Sequence, residues 1–276
     1  MGTLGISSKV EESLSYIRKF TTARPGISIV LGTGLQSLIE VVEDAVVINY
    51  KDIPHFPVST VQSHKGQLIF GQINGKDIVL VAGRFHYYEG YSMEQVTYYI
   101  HVLKALGIHT SIMNSASGGL NPHYKEGNLV MIKDHINMFP TSPLRGQNDE
   151  SQGPRFPDML NAYPKNLRSA ALTCARSLNI DLKSGVYLGW QGPALETPAE
   201  YKMARGFGAD LVGMSTVPEV IVNKYREINT LAFTIVSNLC FPISALEETT
   251  VESVIKTVNE NAKQLKELII RLIPEI

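Results

Sequence analysis

Short apolar runs alternate with helix-patterned segments along almost the whole chain, and this alternation constrains the fold more than any other feature. Ile27–Leu31, Leu68–Ile73, Asp77–Gly83, Thr110–Asn114, Asn128–Ile132, Gly185–Trp190, Leu211–Gly213 and Leu231–Ser237 read as strands. Several are apolar on both faces, so they must be covered on both sides, as in an α/β sheet and unlike an exposed antiparallel one. The polar segment Gln72–Asp77 between two of these runs reads as a hairpin turn, which makes the sheet mixed. With 276 residues, 44% of them hydrophobic, the chain can build a large core. No repeat, low-complexity tract or linker divides it, and residues 1–276 are expected to form one α/β domain, a central mixed β-sheet flanked by helices.

Helix starts are marked by pairs in which a hydroxyl caps the third helical residue and an acid or amide reaches back: Ser8 with Glu11, Ser92 with Gln95, Thr197 with Glu200, and Thr216 with Glu219. The last helix is the clearest. Val251, Val254, Ile255, Val258, Ala262, Leu265, Ile269 and Leu272 form one stripe at helical spacing, a face that should be buried. Between Phe139 and Pro164 lies an unpatterned stretch rich in Pro, Gly, Asn and Ser, too long for a routine connection. It is expected to be a functional loop or an inter-subunit contact.

Charge excludes one class of partner. Lys plus Arg total 25 and Asp plus Glu 26, a net charge of −1, so no positive field draws the chain to nucleic acid. No apolar run is long enough to span a bilayer and the first residues lack a signal-peptide pattern, which places the expectation in the cytoplasm. Cys174 and Cys240 are too few for a disulfide framework and read as free thiols. The histidines are scattered without metal-ligand spacing, so no metal is expected, and no G-x-S-x-G elbow supplies a serine nucleophile. His101, His109, Tyr98 and Tyr99 belong in or beside the Met93–Gly107 helix and read as structural, and Trp190 reads as core.

What stands out instead is that polar or glycine-rich sequences follow at least five strands. Gly32-Thr33-Gly34 offers backbone N–H groups and a hydroxyl to an anion, though such a turn alone is more often only a turn. It lacks the third glycine of a dinucleotide fingerprint and the lysine of a P-loop. Gly83–Gly90 packs Arg84, His86, Tyr88 and Glu89 at a strand end, where α/β proteins place ligands; the guanidinium fork suits phosphate oxygens. Asn114–Gly119 has small residues that admit a ligand close to backbone, or simply form a tight turn. Glu196 precedes a helix opened by Pro198, and Val212–Thr216 and Ile235–Asn238 each end an apolar run in polar residues.

Taken together, Gly83–Gly90, Lys133–Asn137, Pro143–Gly146 and Gly208–Val222 resemble the trimeric-type purine nucleoside phosphorylases, a family that includes the methylthioadenosine phosphorylases; the similarity runs from about Ile17 to the last helix. The resemblance implies the nucleoside phosphorylase fold, a homotrimer, and reversible, metal-free cleavage of a purine N-glycosidic bond with inorganic phosphate as co-substrate and no cofactor. Carried over residue by residue, it implies a phosphate site of Thr33, His64, Arg84, His86, the Ala116 backbone N–H and Ser215. Tyr88 and Met214 would meet the ribose, with Phe156 of a neighbouring subunit closing over it. Leu195, Glu196, Val212 and Asn238 would contact the base.

On that reading Asn238 donates to the purine N7, while an ionised Glu196 accepts from the N1–H of a 6-oxopurine such as those of inosine and guanosine; adenine, an acceptor at N1, leaves the carboxylate unsatisfied. Four positions depart from the family pattern: Thr33 replaces a serine, Ser115 an asparagine, Leu195 a phenylalanine, and Val251 a histidine that contacts the 5′-hydroxyl. Val251 keeps open a 5′-methylthioinosine or 5′-methylthioadenosine phosphorylase. A non-catalytic nucleoside-binding protein and a phosphate-independent nucleosidase are the readings of a different class.

Overall fold

The computed structural model describes residues 5–32, 34–58 and 65–276. Among them, nine strands form one sheet: β1 (Ile27–Val30), β2 (Glu43–Asn49), β3 (Gln67–Ile73), β4 (Lys76–Ala82), β5 (Thr110–Gly119), β6 (Leu129–Asn137), β7 (Lys183–Gly189), β8 (Leu211–Gly213) and β9 (Asn229–Leu239). Their order is β2-β3-β4-β1-β5-β8-β7-β6-β9, and β5 also pairs with β9, so that β5, β8, β7, β6 and β9 close into a ring. The sheet is mixed as expected. β1 runs parallel to β4 and β5, whereas β3 is antiparallel to both β2 and β4. The β3–β4 hairpin turns through Asn74 and Gly75 at φ 53° and 71°, the positive pair that matches strand twist.

Among the described residues six α-helices accompany it: α1 (Ile6–Ile17), α2 (Met93–Leu106), α3 (Lys165–Ser177), α4 (Pro198–Gly206), α5 (Val217–Tyr225) and α6 (Val251–Leu272). Burial on both faces follows the period-two alternation of each strand. Val30, Val81 and Met113 pack with Ile17, Val102 and Val220 from α1, α2 and α5. Their neighbours Ile29, Leu80 and Ile112 point the other way, into a cluster with Ala171, Leu265 and Ile269 from α3 and α6.

The differences from expectation have physical causes. β2, absent from the sequence reading, is the outermost strand and largely exposed: of its short apolar run Ala45–Ile48 only Ile48 is buried. α1 begins at Ile6 with Gly5 as its cap, and Ser8 lies inside the helix instead of capping it. Capping pairs do open α2, α4 and α5, and a further one, Thr250 with Ser253, opens α6. The α6 stripe is buried from Val258 onward, but Val251 is 70% exposed. Trp190 is only half-buried, just beyond β7. Most consequential is β5, which does not end at Asn114. It continues through Gly119, paired with β9, so the tight turn is a strand, while the other reading, small residues beside a ligand, fits the cavity that Ser115, Ala116, Ser117 and Gly118 line.

Candidate active site

A cavity of about 440 Å³ opens where β4, β5, β8 and β9 end. Arg84, His86, Tyr88, Ala116, Leu195, Glu196, Val212, Met214, Ser215, Asn238 and Val251 all line it, so segments far apart in sequence converge. Thr33 and His64 lie outside the described residues. Phe156 does not line the cavity of its own chain; its side chain stands 86% exposed on the segment between β6 and α3.

Close approach of backbone makes the convergence possible. A Cβ on Gly32 would stand 2.5 Å from the Asn114 carbonyl oxygen, and one on Gly118 would stand 2.4 Å from Cys240 Sγ. Only glycine lets the loop after β1 lie against β5, and β5 against the end of β9.

At one end of the cavity, Arg84 is almost fully buried. Its Nε donates to Glu219 Oε1 at 3.0 Å, while Nη1 donates to the Asn114 carbonyl at 2.9 Å and reaches Ser215 Oγ at 3.3 Å. Glu219, buried in the first turn of α5, also accepts from the Tyr99 hydroxyl at 2.6 Å and the Thr216 N–H at 3.0 Å. Burial works against the charged guanidinium, but the Glu219 carboxylate outweighs it and holds the Arg84 pKa above its ordinary value. Tyr99 therefore does more than fill space: it helps fix the carboxylate that orients Arg84.

His86 is fixed as firmly. Glu89 Oε1 accepts from the His86 backbone N–H at 2.8 Å and lies 2.9 Å from Nδ1. Because a carboxylate only accepts, Nδ1 carries the proton of this contact. The imidazole stacks on Tyr88 with ring centroids 4.7 Å apart, and burial raises the Tyr88 phenol to about 12, so it remains a neutral donor. Guanidinium, imidazole and hydroxyl donors at one end can hold a compact oxyanion.

At the other end lie Glu196 and Asn238. Glu196 Oε1 is buried without a hydrogen-bond partner in the protein, and desolvation raises the carboxyl pKa. A buried unsatisfied acceptor is costly, so this oxygen is poised for an N–H donor from a ligand. Asn238 accepts from Ser237 Oγ at 2.8 Å, and its Nδ2 donates to Cys240 Sγ at 3.3 Å. Val212, Leu195 and Met214 supply apolar wall between the polar ends.

Ser237, part of the polar strand end Ile235–Asn238, lines the cavity too, as do Tyr201 and Cys240, which were not anticipated. Cys240 follows Asn238 by two residues at a strand end, the spacing that returns to the same face, and this signal could have found it. Tyr201 carried none, because a tyrosine within a helix reads as packing. The residues read as structural lie away from the cavity: His101 is buried against Gln152, and His109 contacts Thr110. Among the described residues, no helix is long and apolar enough to cross a membrane.

Comparison with known proteins agrees with this geometry. Residues 27–274 match the phosphorylase superfamily. The chain is 46% identical to purine nucleoside phosphorylase 1 of Geobacillus stearothermophilus over 83% of its length and 84% of the relative's. It is 37% identical to the purine nucleoside phosphorylase of Rattus norvegicus over 96% of its length and 94% of the relative's. A Schistosoma purine nucleoside phosphorylase solved with hypoxanthine superposes with a TM-score of 0.94 at 36% identity, covering 99% of both chains. A Schistosoma mansoni purine nucleoside phosphorylase solved with adenosine gives 0.92 at 36% identity, over 98% of this chain and 97% of that one. The chain belongs to the phosphorylase superfamily and, within it, to the purine nucleoside phosphorylases.

Proposed function

We propose that the chain is a phosphorylase selective for 6-oxopurine nucleosides, with phosphate bound at the Arg84 end and the base at the Glu196–Asn238 end of the cavity. The observation that carries this reading is the unpartnered Glu196 Oε1, a buried acceptor on a residue that lines the cavity. An ionised carboxylate there accepts from N1–H of hypoxanthine or guanine. Adenine offers a lone pair instead and leaves the oxygen unsatisfied, a difference of about 1–3 kcal/mol.

Cleavage needs no protein nucleophile. As the glycosidic bond stretches, the ribose gains oxocarbenium character and the base gains negative charge. Asn238 donates to the base as that charge develops. Arg84, His86, Ser215 and the Ala116 N–H hold phosphate beneath the sugar, where its charge stabilises the cation and its oxygen attacks the anomeric carbon. Thr33 and His64 complete this anion site in the proposal, and Tyr88 and Met214 pack on the ribose. Phe156 and Leu160, 86% and 93% exposed on the same segment, present apolar surface to solvent in a single chain, which supports a homotrimer in which Phe156 closes a neighbour's site. Two buried free thiols, Cys174 and Cys240, fit a reducing cytoplasm.

The cavity mouth supports tolerance of an apolar 5′ group as a second reading, because Val251, Val254 and Ile255 all line it. A panel of inosine, guanosine, adenosine, methylthioinosine and methylthioadenosine, assayed with and without phosphate, tests both. Inosine and guanosine are expected to turn over only with phosphate. A dominant kcat/KM for methylthioadenosine would overturn the base assignment, and turnover without phosphate would overturn the phosphorolytic chemistry.

A further inference from the structure

The long segment between β6 and α3 is tied down at one turn. The Gln152 N–H donates to the Asp149 carbonyl at 2.9 Å and closes a turn over Asp149–Gln152. The Asp149 carboxylate braces it from inside, accepting from the Ser151 N–H at 3.0 Å and the Ser151 hydroxyl at 2.6 Å. Three helices hold the turn from outside. From α5, the Tyr225 hydroxyl donates to the Asp149 carbonyl at 2.9 Å and lies 3.1 Å from Asn148 Oδ1, while Asn148 Nδ2 donates to the Gly153 carbonyl at 3.1 Å. From α1, Ser7 Oγ donates to Asp149 Oδ2 at 3.1 Å and accepts from Gln152 Nε2 at 2.9 Å. From α2, His101 Nδ1 lies 3.4 Å from Gln152 Oε1.

The packing is close as well. A Cβ on Gly153 would stand 2.3 Å from the Tyr225 carbonyl oxygen and 2.8 Å from its ring, so the turn lies on the end of α5 in a way that a larger residue forbids. Past this point the chain emerges into solvent, with Pro154, Arg155 and Phe156 all exposed. Three residues span at most about 11 Å. Fixing Gly153 therefore confines Phe156 to a small volume around the end of α5.

We propose that Tyr225 and Gly153 are positioning residues that clamp the base of this segment to α5, so that Phe156 is held ready for a neighbouring subunit before the nucleoside arrives. This rests on the reading that Phe156 closes a neighbour's ribose site. A loose segment loses backbone freedom each time it closes, and that cost weakens nucleoside binding. The clamp orders the segment when the subunit folds and so removes the cost from binding. Neither Tyr225 nor Gly153 lines the cavity of its own chain. The consequence is directional: a subunit with a broken clamp keeps its own cavity intact and impairs the one next to it.

The test measures the KM for inosine and for phosphate in two variants. Tyr225→Phe deletes one hydroxyl, and Gly153→Ala pushes the turn off α5 without removing a hydrogen-bonding group. Tyr225→Phe should raise the inosine KM about fivefold, the worth of one neutral hydrogen bond, and Gly153→Ala at least as much. The phosphate KM should be unchanged in both. Each variant is then mixed with an excess of Asn238→Ala chains under conditions that exchange subunits. An Asn238→Ala chain lacks a working base site but carries a sound clamp, so the inosine KM of the remaining sites should return to the parent value.

An unchanged inosine KM in both variants overturns the clamp. So does a raised KM that the mixture fails to restore while Phe156→Ala mixed with Asn238→Ala regains activity, because Tyr225 and Gly153 then act within their own chain. If the Phe156→Ala mixture stays inactive, the reading that Phe156 serves a neighbour fails, and the clamp's role falls with it. A raised phosphate KM also overturns the proposal, since α5 carries Glu219 at its other end and the effect would then run through Arg84.

Discussion

Arg84 Nε and Glu219 Oε1 stand 3.0 Å apart, with side chains 3% and 2% exposed, so the positive charge at the anion end of the cavity is paired inside the protein before any ligand arrives. Removing the carboxylate charge from such a pair leaves a buried cation without compensation, at a cost of about 3–5 kcal/mol when the partner is deleted. Glu219→Gln keeps the shape and is expected to lose somewhat less. Phosphate can replace the missing charge, so it should raise the melting temperature of Glu219→Gln by more than that of the parent. Calorimetry with and without phosphate checks this; an equal or smaller phosphate shift in the variant would show that Glu219 does not neutralise Arg84.

Glu196 yields a prediction about pH. Desolvation raises its pKa in the folded protein, so the ionised carboxyl detracts from the stability of the unliganded enzyme above that pKa, and the loss is relieved as pH falls through it. Hypoxanthine reverses the balance, because its N1–H favours the ionised form. Hypoxanthine affinity should therefore weaken on acidification through the folded pKa, approaching a tenfold loss per pH unit below it. In Glu196→Gln this dependence should vanish and affinity at neutral pH should drop. Titration calorimetry across the pH range decides, and a wild-type affinity that does not change with pH would remove the carboxylate from base recognition.

The architecture was legible in the sequence wherever burial leaves a continuous apolar record. Strands such as Ile27–Val30, covered on both faces, were read correctly, whereas the edge strand β2 was missed despite its apolar run Ala45–Ile48, of which only Ile48 is buried. Site residues were legible where charged or polar types ended a strand, as with Arg84 and Asn238. Glu219 and Tyr99 act through contacts between residues distant in sequence, and Tyr201 and Cys240 line the cavity, but all four are types equally at home in a core. Gly118 misled for a related reason: small residues that permit close packing of β5 on β9 look in sequence like a turn.

His101 makes a separate prediction about acid stability. Desolvation lowers its pKa from 6.5 to about 4, with Arg226 nearby adding to the effect. A histidine depressed in the folded state contributes stability that is complete above about pH 6.5 and is lost as pH falls toward 4, where the contribution reaches zero. The amount at stake is about 3 kcal/mol. Chemical denaturation at pH 7.5 and 4 should show the parent losing about that much more than His101→Gln. Parallel losses in the two proteins would mean that His101 is not held neutral.

Phe156 is expected to matter for a neighbour and not for its own chain. It projects from the segment between β6 and α3, 86% exposed, with Arg155 over its ring at 5.6 Å. Substituting a side chain so exposed should change the stability of the single chain by no more than about 0.5 kcal/mol. If it closes the ribose end of an adjacent cavity, Phe156→Ala should nonetheless lose activity, and so should Asn238→Ala, whose own base site is broken. Mixing the two variants under conditions that exchange subunits places an intact Phe156 from one chain against an intact Asn238 of another. Activity should then reappear, at a fraction set by the mixing ratio. Two inactive parents giving an inactive mixture, despite subunit exchange verified by mass spectrometry, would confine Phe156 to its own chain and leave the long loop without this role.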